Sequence, residues 1–217
     1  MGDALVELLP LFVDVKDMRV LVVGGGKVGT KRASKFSELG AQVTVYSLEF
    51  SPELESMKVN KVRGDARELD EEFLSHFDVV VTATNDQEIN RKVCSMAKSM
   101  RKLCNDPTSP PDSNFIVPIY FDDGTLAVAV TTYGRSSLSS KYLLDLVKDV
   151  VDGSDVRARV DAMYEVKKML KSKVSDPSKR FKLYSSIFSD SIFQERVAKG
   201  DVSGALKRAE EVVERGS

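Results

Sequence analysis

A chain of 217 residues, 42% hydrophobic and 30% charged, is composed like an ordinary soluble protein, with room for one large domain or a standard domain plus an appendage. A net charge of -1 gives no global attraction to nucleic acid, and no apolar run reaches the length of a membrane span. Met1-Gly2-Asp3-Ala4 lacks the basic-then-apolar order of a signal peptide, and Val6 stands where a myristoylation site needs serine or threonine, so the expected location is cytoplasmic.

Residues 18–23 read as a buried strand that feeds a glycine turn, and the turn opens a helix over 28–39. Gly24, Gly26 and Gly29 satisfy the Gly-x-Gly-x-x-Gly spacing. The first glycine makes the tight turn, the second lets backbone approach a pyrophosphate, and the third lets helix and strand pack closely. The helix N-terminus adds free N–H groups and partial positive charge. Gly40 closes the helix.

Residues 42–46 form the next strand, and Ser51-Pro52 starts a short helix. A strand over 58–62, a helix over 68–77, a buried strand over 78–84, a helix over 86–100 and a short strand over 102–105 follow. Repeated β-α-β units with short links specify a mostly parallel, doubly wound α/β sheet.

Asp106 to Asn114 holds three prolines in nine residues, which marks a loop and a boundary. Strands over 115–121 and 125–132 flank Asp122-Asp123-Gly124, a β-hairpin signal. Beyond them the pattern is helical: 139–151, 155–173, 176–189, 191–199 and 202–214. The expected organisation is a sheet domain over 1–112, a hairpin segment over 113–150 and an all-helical domain over 151–217.

Cys94 and Cys104 form no Cys-x-x-Cys pair and His76 is the sole histidine, so no metal site of the zinc type is expected. Two reduced, partly buried thiols are the expectation. The stretch from Lys167 to Lys182 holds seven basic residues against Asp176. It reads either as a solvated helix face or as a surface that attracts a polyanion.

Several segments together resemble the precorrin-2 dehydrogenase family, including the N-terminal module of siroheme synthase. They are Leu9-Pro10-Leu11-Phe12, Gly24-Gly25-Gly26-Lys27-Val28, Lys31-Arg32-Ala33, the strand from Gly40 to Val45, and Val81-Thr82-Ala83-Thr84-Asn85-Asp86. Cys104-Asn105, Phe115-Ile116-Val117-Pro118, Leu126 to Thr132, Gly134-Arg135-Ser136 and Lys179-Arg180-Phe181 continue the match across nearly the whole chain.

The resemblance implies a Rossmann domain, a central dimerisation segment around the hairpin, a helical C-terminal domain and a homodimer. It implies oxidation of precorrin-2 to sirohydrochlorin with NAD⁺ as acceptor; some members also insert Fe²⁺. On that reading Gly24, Gly25, Gly26, Lys27 and Val28 hold the pyrophosphate. Tyr46, Ser47, Leu48 and Glu49 meet the adenosine ribose. Thr84, Asn85 and Asn105 flank the cofactor at strand ends. The usual acidic residue at the second strand tip is absent, and NAD over NADP rests on the absence of arginine at that tip.

Precorrin-2 bears many carboxylates, so Arg135 and Lys141 are candidate substrate contacts, with Ser136 in the tetrapyrrole pocket. The family's key aspartate falls at Thr108, which cannot act as a base at neutral pH. Asp106 is the nearest replacement to take a proton, the alternative being a turn residue before Pro107; Asp112 shares the loop. Ser137 stands where the family has proline, and Tyr133 where glycine is common. These departures imply weak or absent iron insertion. Two other readings stay open: a non-catalytic NAD-sensing module, and a sirohydrochlorin chelatase with a vestigial nucleotide site.

Overall fold

The computed structural model describes residues 8–215. The readings at Met1 to Ala4 and Val6, and the outer ends of the first and last expected domains, lie outside them. Two compact units are present: one runs to Val117 and includes Tyr133–Arg135, and the other comprises Pro118–Thr132 and the chain from Ser136 onward.

The first unit is an all-parallel sheet of β1 (Arg19–Val23), β2 (Gln42–Ser47), β3 (Asn60–Arg63), β4 (Val79–Thr82) and β5 (Leu103–Asn105), in the order β3-β2-β1-β4-β5. Central strands of such a sheet are covered on both faces and so read as unbroken apolar runs. Val20 to Val23 and Val79 to Val81 are accordingly buried. Alternate residues serve opposite faces. Leu21, Val23 and Val80 join Val93, Cys94 and Ala97 of α4 (Gln87–Ser99) on one side. Val20, Val22, Val45 and Val81 join Ala33 and Phe36 of α1 (Lys27–Glu38) on the other. Each such side chain contributes about 1.5–3 kcal/mol by leaving water. Gly40, at φ 84°, ends α1 in the left-handed conformation expected of it.

Three expectations are corrected in this unit. Beyond α2 (Pro52–Ser56) and β3, the single helix expected over 68–77 is instead a 3₁₀ turn, Ala66–Glu68, followed by the short α3 (Glu71–Ser75). Two caps divide them: Asp65 accepts from the Arg67 N–H and Asp70 from the Phe73 N–H. The strand over 115–121 begins only at Ile119, because Phe115 and Val117 pack onto the sheet. The cysteines are not free thiols: Cys94 of α4 and Cys104 of β5 form a disulfide, with Cα atoms 5.5 Å apart and both side chains fully buried. A loop this short is worth about 2–3 kcal/mol when cross-linked. Thiol titration of the unfolded protein is therefore expected to find no free thiol before reduction and two after. Cys104→Ala is expected to lower the thermal midpoint of this unit.

The second unit carries a two-stranded antiparallel sheet, β6 (Ile119–Asp122) with β7 (Ala127–Val130), packed on α5 (Ser137–Asp152). Then come α6 (Val156–Lys173), α7 (Pro177–Phe188), α8 (Ser191–Ala198) and α9 (Val202–Arg215). Met163, Val166 and Leu170 of α6, Leu183 and Ile187 of α7, Phe193 of α8 and Ala205 and Ala209 of α9 form its core. Asp176 and Asp190 cap α7 and α8 through the Lys179 and Phe193 N–H groups.

Asp123, in the β6–β7 turn, accepts from Arg157 of α6 at 2.5 Å and from the Thr125 and Leu126 N–H groups. The Arg157 guanidinium first, then those backbone donors, pull its carboxyl down to about 2. A depressed carboxylate stabilises the fold above its unfolded pKa and loses that contribution as pH falls through the folded value. The stability advantage of wild type over Asp123→Asn is thus expected to be full above about pH 4 and to fall away as pH drops through about 2, read by chemical unfolding at each pH.

Candidate active site

The carboxyl ends of parallel strands are where open α/β sheets bind ligands. Here those ends enclose a cleft of about 540 Å³ within the first unit. Gly24, Gly25, Gly26, Tyr46, Ser47, Leu48, Glu49, Thr84 and Asn85 line it, all of them marked from sequence. Lys27 and Val28 begin α1 beside it, and Asn105 lies outside the lining.

The glycine loop is fixed by its own backbone. The Gly24 N–H donates to the Tyr46 carbonyl and the Ser51 N–H to the Gly25 carbonyl, each at 2.9 Å. Gly24 sits at φ 116°, a conformation that disfavours any side chain. A Cβ on Gly29 would collide with the Gly24 carbonyl, and one on Gly25 with the Glu49 carbonyl. A Cβ on Gly26 would meet nothing within 4 Å. Gly26 also begins α1 without any side-chain cap, so the amides of the first turn have no protein partner from a capping group. Open space beside uncapped helix amides fits a pyrophosphate.

Ser47 occupies the second strand tip, where a ribose-binding acid is usual. Its hydroxyl accepts from the Gly25 N–H at 2.9 Å, which holds the loop rather than a ligand. Sequence reading missed the contribution of the segment after β3: Gly64, Asp65 and Arg67 also line the cleft. Their position at a strand end was the available signal. The second strand tip itself carries no arginine; Arg67, beyond β3, lines the cleft and is paired with Asp65 at 3.3 Å and Asp86 at 3.5 Å. Asn90, fully buried, was also missed; its amide holds the Thr84 backbone and hydroxyl in place.

At the end of β5, Asn105 and the next residue, Asp106, are both buried. Asn105 Oδ1 and Asp106 Oδ2 have no hydrogen-bond partner among the described residues. An unpaired buried oxygen is costly, about 1–3 kcal/mol, and calls for a functional account. Asp106 Oδ1, by contrast, accepts from both the N–H and the hydroxyl of Thr108, at 2.8 and 2.7 Å. Hydrogen bonds from Ser109 and then Arg91 hold the Asp112 carboxyl below the usual range, against a smaller opposing effect of burial.

The sequence-marked substrate contacts are less uniform. Arg135 is exposed. Ser136 is the N-cap of α5, its oxygen accepting from the Ser139 N–H at 3.1 Å. Lys141 is exposed and paired with Asp145 at 2.7 Å. Ser137 takes the first helical position, which suits proline because its N–H is spare. Tyr133 has φ 55°, which explains why glycine is favoured there.

Comparison with known proteins places these features. Residues 11–119, half of the chain, match the family described as "Putative NAD(P)-binding". A "Putative precorrin-2 dehydrogenase" of Methanocaldococcus jannaschii is 29% identical over 201 residues, covering 88% of this chain and 95% of that protein. A "Siroheme synthase" of Methylobacillus flagellatus is 29% identical over 96% of this chain, which spans only 44% of that relative. The solved structure titled "SirC, precorrin-2 dehydrogenase" aligns with 94% of this chain and all of its own, at TM-score 0.67 and 26% identity.

Proposed function

The chain belongs to the NAD(P)-binding family and, over its length, to the family of precorrin-2 dehydrogenases and siroheme synthase N-terminal modules, and we propose that it oxidises precorrin-2 to sirohydrochlorin with NAD⁺ as acceptor. The observation that carries the reading is the open cradle at Gly26, bounded by uncapped α1 amides in a cleft at the strand ends.

When bound, the nicotinamide ring supplies the hydride acceptor. The chain's own residues do the rest. Gly24, Gly25 and Gly26 bring backbone close to the pyrophosphate, and the amides of Lys27 and Val28 face its charge. Ser47 keeps Gly25 in register, and Asn90 fixes Thr84 beside the cofactor. Glu49 and Asp65, both at the cleft wall, are the acids proposed to meet the ribose. NAD⁺ over NADP⁺ is proposed because no arginine stands at the second strand tip, and Arg67 beyond β3 is paired with Asp65 and Asp86.

Loss of hydride is followed by loss of a proton. Asp106 Oδ2 is the proposed acceptor, with Thr108 holding the other carboxyl oxygen. Arg135 and Ser136 are proposed to meet substrate carboxylates; Lys141 must first exchange Asp145 for them. With threonine at 108, Fe²⁺ insertion is proposed to be far slower than dehydrogenation. Among the described residues no helix is long and apolar enough to cross a membrane, and a cytoplasmic location is the proposal. Full burial of the disulfide shields it from reductants there.

A homodimer through α5 belongs to the same reading. Leu138, Tyr142, Leu146 and Val150 recur every four residues, and all four are exposed. A stripe of this kind marks an interface, and a two-stranded sheet gains from a partner. Tyr142→Glu with Val150→Glu is expected to convert a dimer to a monomer, read by light scattering after size exclusion.

The function is tested by anaerobic incubation with precorrin-2 and NAD⁺. Equimolar NADH and sirohydrochlorin are expected, with NADP⁺ a poorer acceptor. Tight NAD⁺ binding without turnover favours the sensing module, and Fe²⁺ insertion without NADH favours the chelatase.

A further inference from the structure

The helical unit has a groove of its own. The helices α6 and α7 form an antiparallel hairpin, and two adjoining hollows of about 510 and 480 Å³ lie along its seam and share Phe181 and Tyr184. From Val156 to Lys171 the seam runs about 22 Å at helical rise. Leu170 and Met163 form its floor.

Two properties of this lining are unusual together. Its rings are exposed: Phe181 is 72% accessible and Phe188 46%. Aromatic side chains left open in a shared hollow point to a binding surface. Its charge is also of one sign. Lys167, Lys171 and Arg180 line one hollow and Arg159 the other, with no aspartate or glutamate in either. Arg159 is paired with Asp155, and Arg180 donates to the Val174 and Ser175 carbonyls and has no ion pair among the described residues. Lys167 and Lys171, one helical turn apart, have no ion pair among the described residues, whereas nearby Lys168 and Lys173 are paired with Glu165 and Glu210.

A ligand for such a seam is flat, apolar on its faces and multiply anionic at its rim. Rings stack on its faces, and the lysines and Arg180 meet carboxylate arms. We infer that the α6–α7 groove is a second binding site, separate from the cofactor cleft, for a planar polycarboxylate macrocycle. The inference rests on the proposed function for its ligand class, since the product of that reaction has this chemistry and the substrate carries the same carboxylate rim. Its role is to gather the macrocycle at low concentration.

The test titrates sirohydrochlorin, and in a parallel arm precorrin-2 without NAD⁺, into the full chain under anaerobic conditions. Wild type is expected to bind two macrocycles per chain. Lys167→Glu with Lys171→Glu is expected to weaken one of the two at least about tenfold, as is Phe181→Ser, with the circular dichroism of the helices unchanged. The arm with the tighter second event identifies substrate or product as the resident. In turnover the double variant is expected to lower kcat/KM while kcat holds. One macrocycle per chain in wild type, equal binding by the variants, or protection of the seam from hydrogen exchange by a second copy of the chain overturns the inference. A wild type that makes no NADH yet shows the variant-sensitive second event removes the proposed function and leaves the groove standing.

Discussion

Gly26→Ala is expected to fold as wild type does and to bind NAD⁺ about 100-fold more weakly, a loss of about 2.8 kcal/mol. The methyl group meets no protein atom within 4 Å, so the fold loses at most about 1 kcal/mol of helix-start preference. What it enters is the space above the α1 amides, where a pyrophosphate must approach. Gly29→Ala is the contrasting variant. Its Cβ collides with the Gly24 carbonyl, so α1 must move away from β1. Overpacking of that kind costs about 1–3 kcal/mol of stability and distorts the loop as well. Calorimetric titration with NAD⁺, paired with thermal unfolding, separates the two: binding lost alone at 26, binding and stability lost together at 29. Unchanged affinity in Gly26→Ala takes the dinucleotide out of this cleft.

The second large effect is expected at Asp106. Asp106→Asn keeps the acceptor for both Thr108 donors but cannot take a proton, and kcat is expected to fall about 10²–10⁴-fold. NAD⁺ affinity should be unchanged, because Asp106 lies outside the cleft lining. Asp106 is nearly inaccessible in this structure, so its competing role is structural, as the acceptor of an Asx turn. The split between kcat and stability decides: a stability loss with normal turnover assigns Asp106 to the turn alone.

The parts of this protein legible in sequence were those encoded locally. An apolar run, three spaced glycines and an amphipathic helix need no distant partner to be read, and the sheet, α1 and the cofactor loop followed from them. The helix start at Ser51 was equally local. What escaped depends on approach in space. Cys94 and Cys104 carry no short motif; only the packing of α4 beside β5 brings them together. Arg67 enters the cleft because the chain turns after β3, and its charge is then spent on Asp65 and Asp86. The first hairpin strand was read too long because Phe115 and Val117 are apolar for a different reason, burial against the first sheet. The free oxygens of Asn105 and Asp106 have no signature in sequence at all.

The cleft over the glycine loop is proposed to seat a dinucleotide with its redox ring at the strand ends. A crystal structure of the protein with NAD⁺ tests it most directly. Pyrophosphate density is expected against the amides of Lys27 and Val28, with adenosine toward Glu49 and Asp65 and nicotinamide beside Thr84. Side chains filling that volume, or a dinucleotide bound elsewhere on the chain, would contradict it.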